Sequence, residues 1–273
     1  MSLGDDQVEV TLDAVQVGRA AGVGRVVAAG ARCQGLDDRR VLVGPIDPCG
    51  ECEVCRSGGA AACPLARRRD ALEKTAIVAG RWIVPLDDGL EIESPAAAAV
   101  AGDVVLAYTL YARTGAQPRD PVLIVGESPI ARFLVEILIA KAIAPVAVAA
   151  PGAWADWLTG KGVTVARDRA GVVDAFAAQS LGTRPWRVQC ASPEASATAA
   201  ALAGPRSLLT LLAPSPAIPG DAIARELTII GVAAAHPDLV VEAAAMCVKG
   251  EIDLAAGTSL IAEPLRSHVR SLR

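Results

Sequence analysis

Apolar and polar positions alternate from the start of the chain. Val8, Val10 and Leu12 are separated by polar residues, the period-two pattern of a half-buried strand. Val23 to Ala29 is a second apolar run and Arg40-Val41-Leu42-Val43 a third, each bounded by Gly, Asp or Pro. A further strand, Trp82-Ile83-Val84, runs into Pro85 and the turn Asp87-Asp88-Gly89. The first hundred residues thus predict a small β-rich domain. Ser94-Pro95 then opens an alanine-rich stretch ending near Gly115, whose long apolar pattern predicts one or two buried helices.

After residue 118 the period changes. Pro121 to Val125 is a continuous apolar strand, buried on both faces if it belongs to a parallel sheet. Gly126 follows, then a helix from Ile130 to Ala142, a strand at Val146 to Val148, a helix around Trp154 to Leu158, a strand at Val163 to Val165 and a helix near Val172 to Ala178. Further strands are predicted at Trp186 to Cys190, Ser207 to Leu212 and Leu227 to Ile230, and a terminal helix at about Pro237 to Lys249. This alternation indicates an α/β fold with a right-handed, doubly wound parallel sheet. The expected division is 1–101 with 233–273 for the β-rich domain and 102–232 for the α/β domain.

Composition fits two globular cores: 273 residues, 52% hydrophobic and 21% charged. Mean hydropathy is +0.40, but the excess comes largely from alanine and valine, and the apolar runs break short of the ~20 residues that span a bilayer. No membrane association is expected. A formal charge of −4 supplies no footprint for a phosphate backbone, so no nucleic-acid partner is expected either. Arg67-Arg68-Arg69, with Asp70 and Glu73 behind it, is expected to be a solvated surface.

The densest chemistry lies in Cys49, Cys52, Cys55 and Cys63. Their spacing suits one tetrahedral Zn²⁺, with thiolates at about 2.3 Å filling all four positions. Such an ion braces a loop and leaves no position for water or substrate. Two disulfides are the competing reading, suited to a small secreted domain. This longer chain opens with no basic segment followed by an apolar one, so a cytoplasmic protein with one structural Zn²⁺ is expected. Cys33, Cys190 and Cys247 read as small buried residues.

The cysteine loop, the Gly22-to-Gly30 run, Pro85-Leu86-Asp87-Asp88-Gly89-Leu90, the Val122-to-Gly126 strand and turn, and Glu226-Leu227-Thr228-Ile229-Ile230-Gly231 follow one another in a telling order. The chain resembles the zinc-containing medium-chain alcohol dehydrogenases, as a degenerate and shortened member. The resemblance implies a GroES-like domain carrying the zinc lobe plus a Rossmann domain, with NAD(P) in the cleft between them. It also implies a homodimer or tetramer, with dimerisation through the sheet edge near Leu227 to Ile230.

Family chemistry uses a second zinc, held by an early cysteine, a histidine in a Gly-His-Glu triplet and a cysteine near the domain junction, with an open fourth position for the alcohol oxygen. None of these ligands is recognisable. Aligning Gly24-Arg25-Val26 with the family stretch sets Arg19, Ala20 and Ala21 on the triplet, and counting back from Tyr108 sets Gly102 on the junction cysteine. Between the first strand and Gly22 only a few residues remain where relatives carry a few dozen. His236, before a proline at a helix start, reads as a surface or capping residue; the other histidine is His268. Asp103, beside the lost cysteine position, reads as a lone carboxylate and so a poor ligand set.

Dinucleotide binding needs one glycine for the tight turn, a second for approach of the pyrophosphate and a third for helix packing. Gly126-Glu127-Ser128-Pro129-Ile130-Ala131 keeps the first, with Ser128 and Ala131 in the other two places. Gly126, Ser128, Pro129 and Ile130 are the candidate cofactor-binding residues. Glu127 competes for the helix dipole, and neither an acid nor an arginine stands near Ala150 for the ribose. Losing that charge-assisted bond weakens binding about ten- to a hundredfold, so NAD(P) binding is expected to be weakened. The resulting expectation is an oxidoreductase-superfamily protein that keeps the structural zinc, has lost the catalytic zinc site and lacks alcohol dehydrogenase activity. It would serve as a binding protein or assembly subunit for a protein partner or small-molecule ligand, with no residue assigned as catalytic. The alternative is a zinc-independent NAD(P)H-dependent oxidoreductase acting on a small carbonyl, quinone or activated double bond. In that case Tyr108, Thr109 and Cys190 would face the cleft.

Overall fold

The computed structural model describes residues 3–16, 18–69, 71–86, 92–182, 184–212, 220–232, 234–254 and 269–271. The predicted turn Asp87-Asp88-Gly89, Asp70 and His268 lie outside the described residues. The chain divides into two compact units. One runs to Leu106 and takes in Ala234–Gly250; the other comprises Ala107–Ala233 and a segment from Glu251.

The first unit begins with strands β1 (Gln7–Gln16), β2 (Ala21–Ala29), β3 (Arg40–Val43) and β4 (Ile46–Asp47). Helix α1 (Glu53–Arg56) and strands β5 (Arg67–Arg68), β6 (Thr75–Ala79) and β7 (Ile83–Pro85) follow. The alternation in β1 turns Val8, Val10 and Leu12 into a core completed by Val26, Val41, Val43 and Val78. β1 is antiparallel to β2 on one side and to β6 on the other, and β2, β3 and β7 continue the sheet. β6 is a strand that periodicity misses: Thr75-Ala76-Ile77-Val78-Ala79 is nearly all apolar and lacks a clean alternation. The β1–β2 register shifts between Leu12 and Ala14. Beside that bulge a Cβ on Gly24 would stand 2.2 Å from the Thr11 carbonyl oxygen, so only glycine allows this approach.

The alanine-rich stretch forms one continuous helix: α2 (Ser94–Ala99), a π-helical turn Val100–Val104 and α3 (Val105–Thr114). Its apolar runs, expected to be too short for a bilayer, are joined here into 21 residues that would suffice by length and composition. Most of that helix is buried inside the protein, as in the core helix of a globular chain.

The second unit alternates strictly. It runs β8 (Val122–Val125), α4 (Pro129–Ala140), β9 (Val146–Val148), α5 (Ala153–Gly160), β10 (Thr164–Ala166), α6 (Arg169–Ala178) and β11 (Arg187–Cys190), followed by α7 (Ser196–Leu202), β12 (Leu208–Leu211) and β13 (Thr228–Gly231). All six strands are parallel, in the order β10-β9-β8-β11-β12-β13. This is the doubly wound order that reverses beside the first strand. Leu123, Phe176, Trp186, Val188 and Leu209 build its core. Helix α7 is absent from the sequence-based expectation because seven residues rich in alanine display no apolar stripe. Within α4 the buried Arg132 and Glu136 grip the backbone of Asp253: Arg132 donates to its carbonyl, and its N–H donates to Glu136 Oε2 at 3.1 Å. Burial pushes the Glu136 carboxyl above its usual range, against the opposing pull of Arg132 and Lys161. The chain ends in α8 (Val240–Val248), in the first unit, and β14 (Val269–Ser271), antiparallel to the end of β1.

Gly24→Ala should destabilise the first unit by about 1–3 kcal/mol, because the added methyl must push the paired strands β1 and β2 away from each other. Urea unfolding measures this, and an unchanged midpoint would contradict the close approach.

Candidate metal centre and nucleotide cavity

The metal lobe hangs between β4 and β5. Cys49 follows Pro48, Gly50 turns the chain at φ +75°, Cys52 caps α1, Cys55 lies within it, and Gly58 (φ +82°) reverses the chain towards Cys63. The four Sγ atoms lie within 4.8 Å of one another. Cys49 to Cys55 is 3.9 Å, Cys52 to Cys63 3.8 Å and Cys49 to Cys63 3.6 Å. A tetrahedron of sulfurs around zinc has edges of ~3.8 Å, so these residues fit one Zn²⁺ with every position filled.

Backbone N–H groups of Cys49, Cys52 and Cys55 point at the sulfurs of Cys63, Cys49 and Cys52 at 3.4, 3.4 and 3.5 Å. Such donors stabilise thiolate charge. The N–H groups of Glu51 and Cys52 bring the Cys49 thiol down to about 6, while burial pushes Cys55 up to about 12. Among the described residues this is the one convergent group of three or more Cys, His, Asp or Glu side chains.

The lobe is pinned from several sides. Trp82 Nε1 donates to the Pro48 carbonyl at 2.7 Å, and Arg81 to that of Cys49. His236, expected on the surface or at a cap, stands at the N-cap position of the Pro237–Leu239 turn without a capping side-chain bond, and it is buried, with Nε2 2.8 Å from the Gly58 carbonyl. Arg69 departs from the solvated cluster and forms an ion pair with the half-buried Asp47, leaving Arg67 and Arg68 exposed. Burial of Asp47 raises its carboxyl pKa despite that partner.

At the far end of β1 the arrangement differs. Inward positions of this strand are apolar up to Val15, and then Gln16 follows, 1% exposed. Its amide holds Asp103 of the π turn from both sides: Nε2 donates to Asp103 Oδ2, and Oε1 accepts the Asp103 N–H at 3.1 Å. Arg19, on the hairpin turn, donates from Nε to Asp103 Oδ1 at 2.7 Å. Asp103 is therefore not a lone carboxylate. Sequence reasoning missed Gln16, although a polar residue closing an inward apolar series was the signal. At Gly102, which the resemblance sets on the junction cysteine, a Cβ would lie 1.8 Å from Gln16 Oε1, so the amide would have to move to admit one. Gln16, Arg19 and Asp103 offer one carboxylate bound by two donors, which does not fit a catalytic zinc needing three free ligands.

In the second unit, Gly126 leaves β8 at φ +113°, and a Cβ on it would stand 2.9 Å from Ser192 Oγ. Ser128 caps α4: its Oγ accepts the Ala131 N–H at 3.0 Å and donates to the Ala191 carbonyl at 2.6 Å. Pro129 has no N–H, so Ile130 carries the one N–H of the first three helical residues that Ser128 leaves open. Glu127 is exposed. A cavity of about 420 Å³ opens at the carboxyl ends of β8, β9 and β10, lined by Val125, Gly126, Val148 to Pro151, Arg167, Ala195 and Thr198. Arg167, which follows β10, lines the same cavity as Ala150, a placement sequence spacing did not indicate. Tyr108, Thr109 and Cys190 are all buried. Cys190 donates to the Ser192 carbonyl at 3.0 Å, and burial raises its thiol.

No sequence-family profile matches the chain, and no curated protein matches it. Solved structures do match in fold. An alcohol dehydrogenase from Thermus sp. ATN1 is 16% identical with a TM-score of 0.79, over 98% of this chain and 90% of that one. An alcohol dehydrogenase of Escherichia coli CFT073 solved with NADH is 16% identical with a TM-score of 0.77, over 93% and 83%. A zinc-binding dehydrogenase from Sinorhizobium meliloti 1021 bound to NADP is 17% identical with a TM-score of 0.69, over 93% and 84%. The protein therefore has the zinc-binding alcohol dehydrogenase fold, a Rossmann sheet joined to a GroES-like antiparallel sheet.

Cys52→Ser should expose the 49–63 lobe to protease while the second unit stays resistant; an undiminished lobe would contradict its dependence on the thiolates. Gly102→Ala should cost about 1–3 kcal/mol, and combining it with Gln16→Ala should cost clearly less than the two singles summed. Additive losses in thermal unfolding would deny that the two positions compete for one space.

Proposed function

We infer that this protein is a zinc-braced, dehydrogenase-fold binding protein or assembly subunit without zinc-dependent alcohol chemistry. The observation that carries this reading is the 1.8 Å between Gln16 Oε1 and any Cβ at Gly102, which fills the position aligned with a catalytic ligand. The thiolates of Cys49, Cys52, Cys55 and Cys63 would hold the structural ion, which organises the lobe and touches no substrate. A reduced thiolate cluster suits the cytoplasm. The exposed edge strand β13 is the surface for a homodimer by strand pairing.

A second reading, an NAD(P)H-dependent oxidoreductase working without zinc, is favoured by the cavity at the end of the parallel sheet. Neighbours of the same fold were solved with NADH and with NADP. Metal analysis of purified protein should give close to one zinc per chain, with no alcohol oxidation when NAD⁺ or NADP⁺ is supplied. Two tightly bound zinc ions per chain, or zinc-dependent turnover of an alcohol, would overturn the first reading. Hydride transfer from NADPH to a quinone or enone at one zinc per chain would establish the second.

A further inference from the structure

Cys49, Cys52 and Cys55 are half-buried and so within reach of solvent, whereas Cys63 is 2% exposed. A closed four-thiolate site keeps substrate from the ion but does not keep a small oxidant from the sulfurs. Outside the lobe Cys33 and Cys190 are buried, and Cys247 is half-buried.

Cys49 and Cys63 form the shortest of the three sulfur pairs, at 3.6 Å, and the Cys49 N–H points at the Cys63 sulfur at 3.4 Å. They stand where the chain leaves β4 and where it returns towards β5. These strands pair Ile46 with Arg68 and Asp47 with Arg67, so the backbone ladder brings the two cysteines together without help from an ion. Cys52 and Cys55 belong instead to α1, whose four residues are too few to hold a helix unaided.

We propose that Cys49 and Cys63 are an oxidation-sensitive pair: a peroxide joins them in a disulfide, which expels the structural ion and frees α1. This rests on the reading that the four thiolates hold one ion. The half-buried Cys49 thiolate attacks the peroxide O–O bond, takes one oxygen as a sulfenic acid and releases hydroxide. The buried Cys63 thiolate then attacks that sulfur; the S–S bond forms and a second hydroxide leaves. Two electrons pass from the sulfurs to the peroxide, and two protons from solvent turn both hydroxides into water. Cys52 and Cys55 remain, two ligands where a closed site needs four, and the ion departs. The disulfide keeps the base of the lobe closed beside Trp82 and Arg81, while Arg56, exposed on α1, lies inside the 49–63 ring.

The zinc-loaded full chain is treated with hydrogen peroxide beside a chromogenic zinc chelator, and then with trypsin. About one zinc per chain should be lost as the first two thiols disappear, and cleavage after Arg56 should begin. The two fragments should stay joined until a thiol reductant is added, and peptide mass spectrometry should find Cys49 bonded to Cys63. Dithiothreitol with Zn²⁺ should restore resistance at Arg56, and Cys247→Ser should lose its zinc at the same peroxide concentration. Zinc retained while thiols are lost, a first disulfide between other cysteines, dependence on Cys247, or a loss that reductant does not reverse overturns the switch and leaves the structural ion standing. Protein that carries no zinc before peroxide is added overturns the ion itself.

Discussion

One amide side chain sets the charge arrangement at the far end of β1. Gln16, at the end of β1, holds both the carboxylate and the N–H of Asp103, tying the sheet to the π turn of the Ser94–Thr114 helix. A π turn inserts one residue into the helical ladder and so re-aims the side chains around it, which is why such turns recur at functional sites. Here it aims Asp103 into the grip of Gln16 and Arg19. A buried carboxylate is costly unless every lone pair is met, and this one is met by a guanidinium and an amide. The cluster is closed, and Gly102 is the residue whose missing side chain makes the closure fit.

The metal lobe follows the opposite logic. Four thiols at contact distance, with backbone N–H groups aimed at three of them, form a poor packing arrangement but a good ligand set. Pro48, Cys49 and Gly58 each offer a carbonyl to a side chain from outside the lobe, so the ordered loop is bolted to its own unit. The two clusters thus differ in chemical kind. One holds charge that only a cation satisfies, and the other satisfies its charge internally.

Much of this is legible in the sequence because it rests on short-range signals. Cysteine spacing and the switch from period two to alternating strand and helix after residue 118 are local. The six strands of the second unit appear at the predicted places in the doubly wound order. What sequence spacing could not show depends on contacts between distant positions. Gln16 meets Asp103 and His236 meets Gly58 across most of the unit's sequence, and Arg167 joins Ala150 in the lining of one cavity. β6 and α7 escape because runs of alanine, valine and isoleucine carry no period of their own.

The sulfur arrangement of the metal lobe calls for an ion of the closed, all-thiolate kind. X-ray absorption at the zinc edge of the purified protein reads that coordination shell without an intervening assay. A single shell of four sulfurs at about 2.3 Å is expected. A shell mixing sulfur with nitrogen or oxygen, including a water, would contradict it.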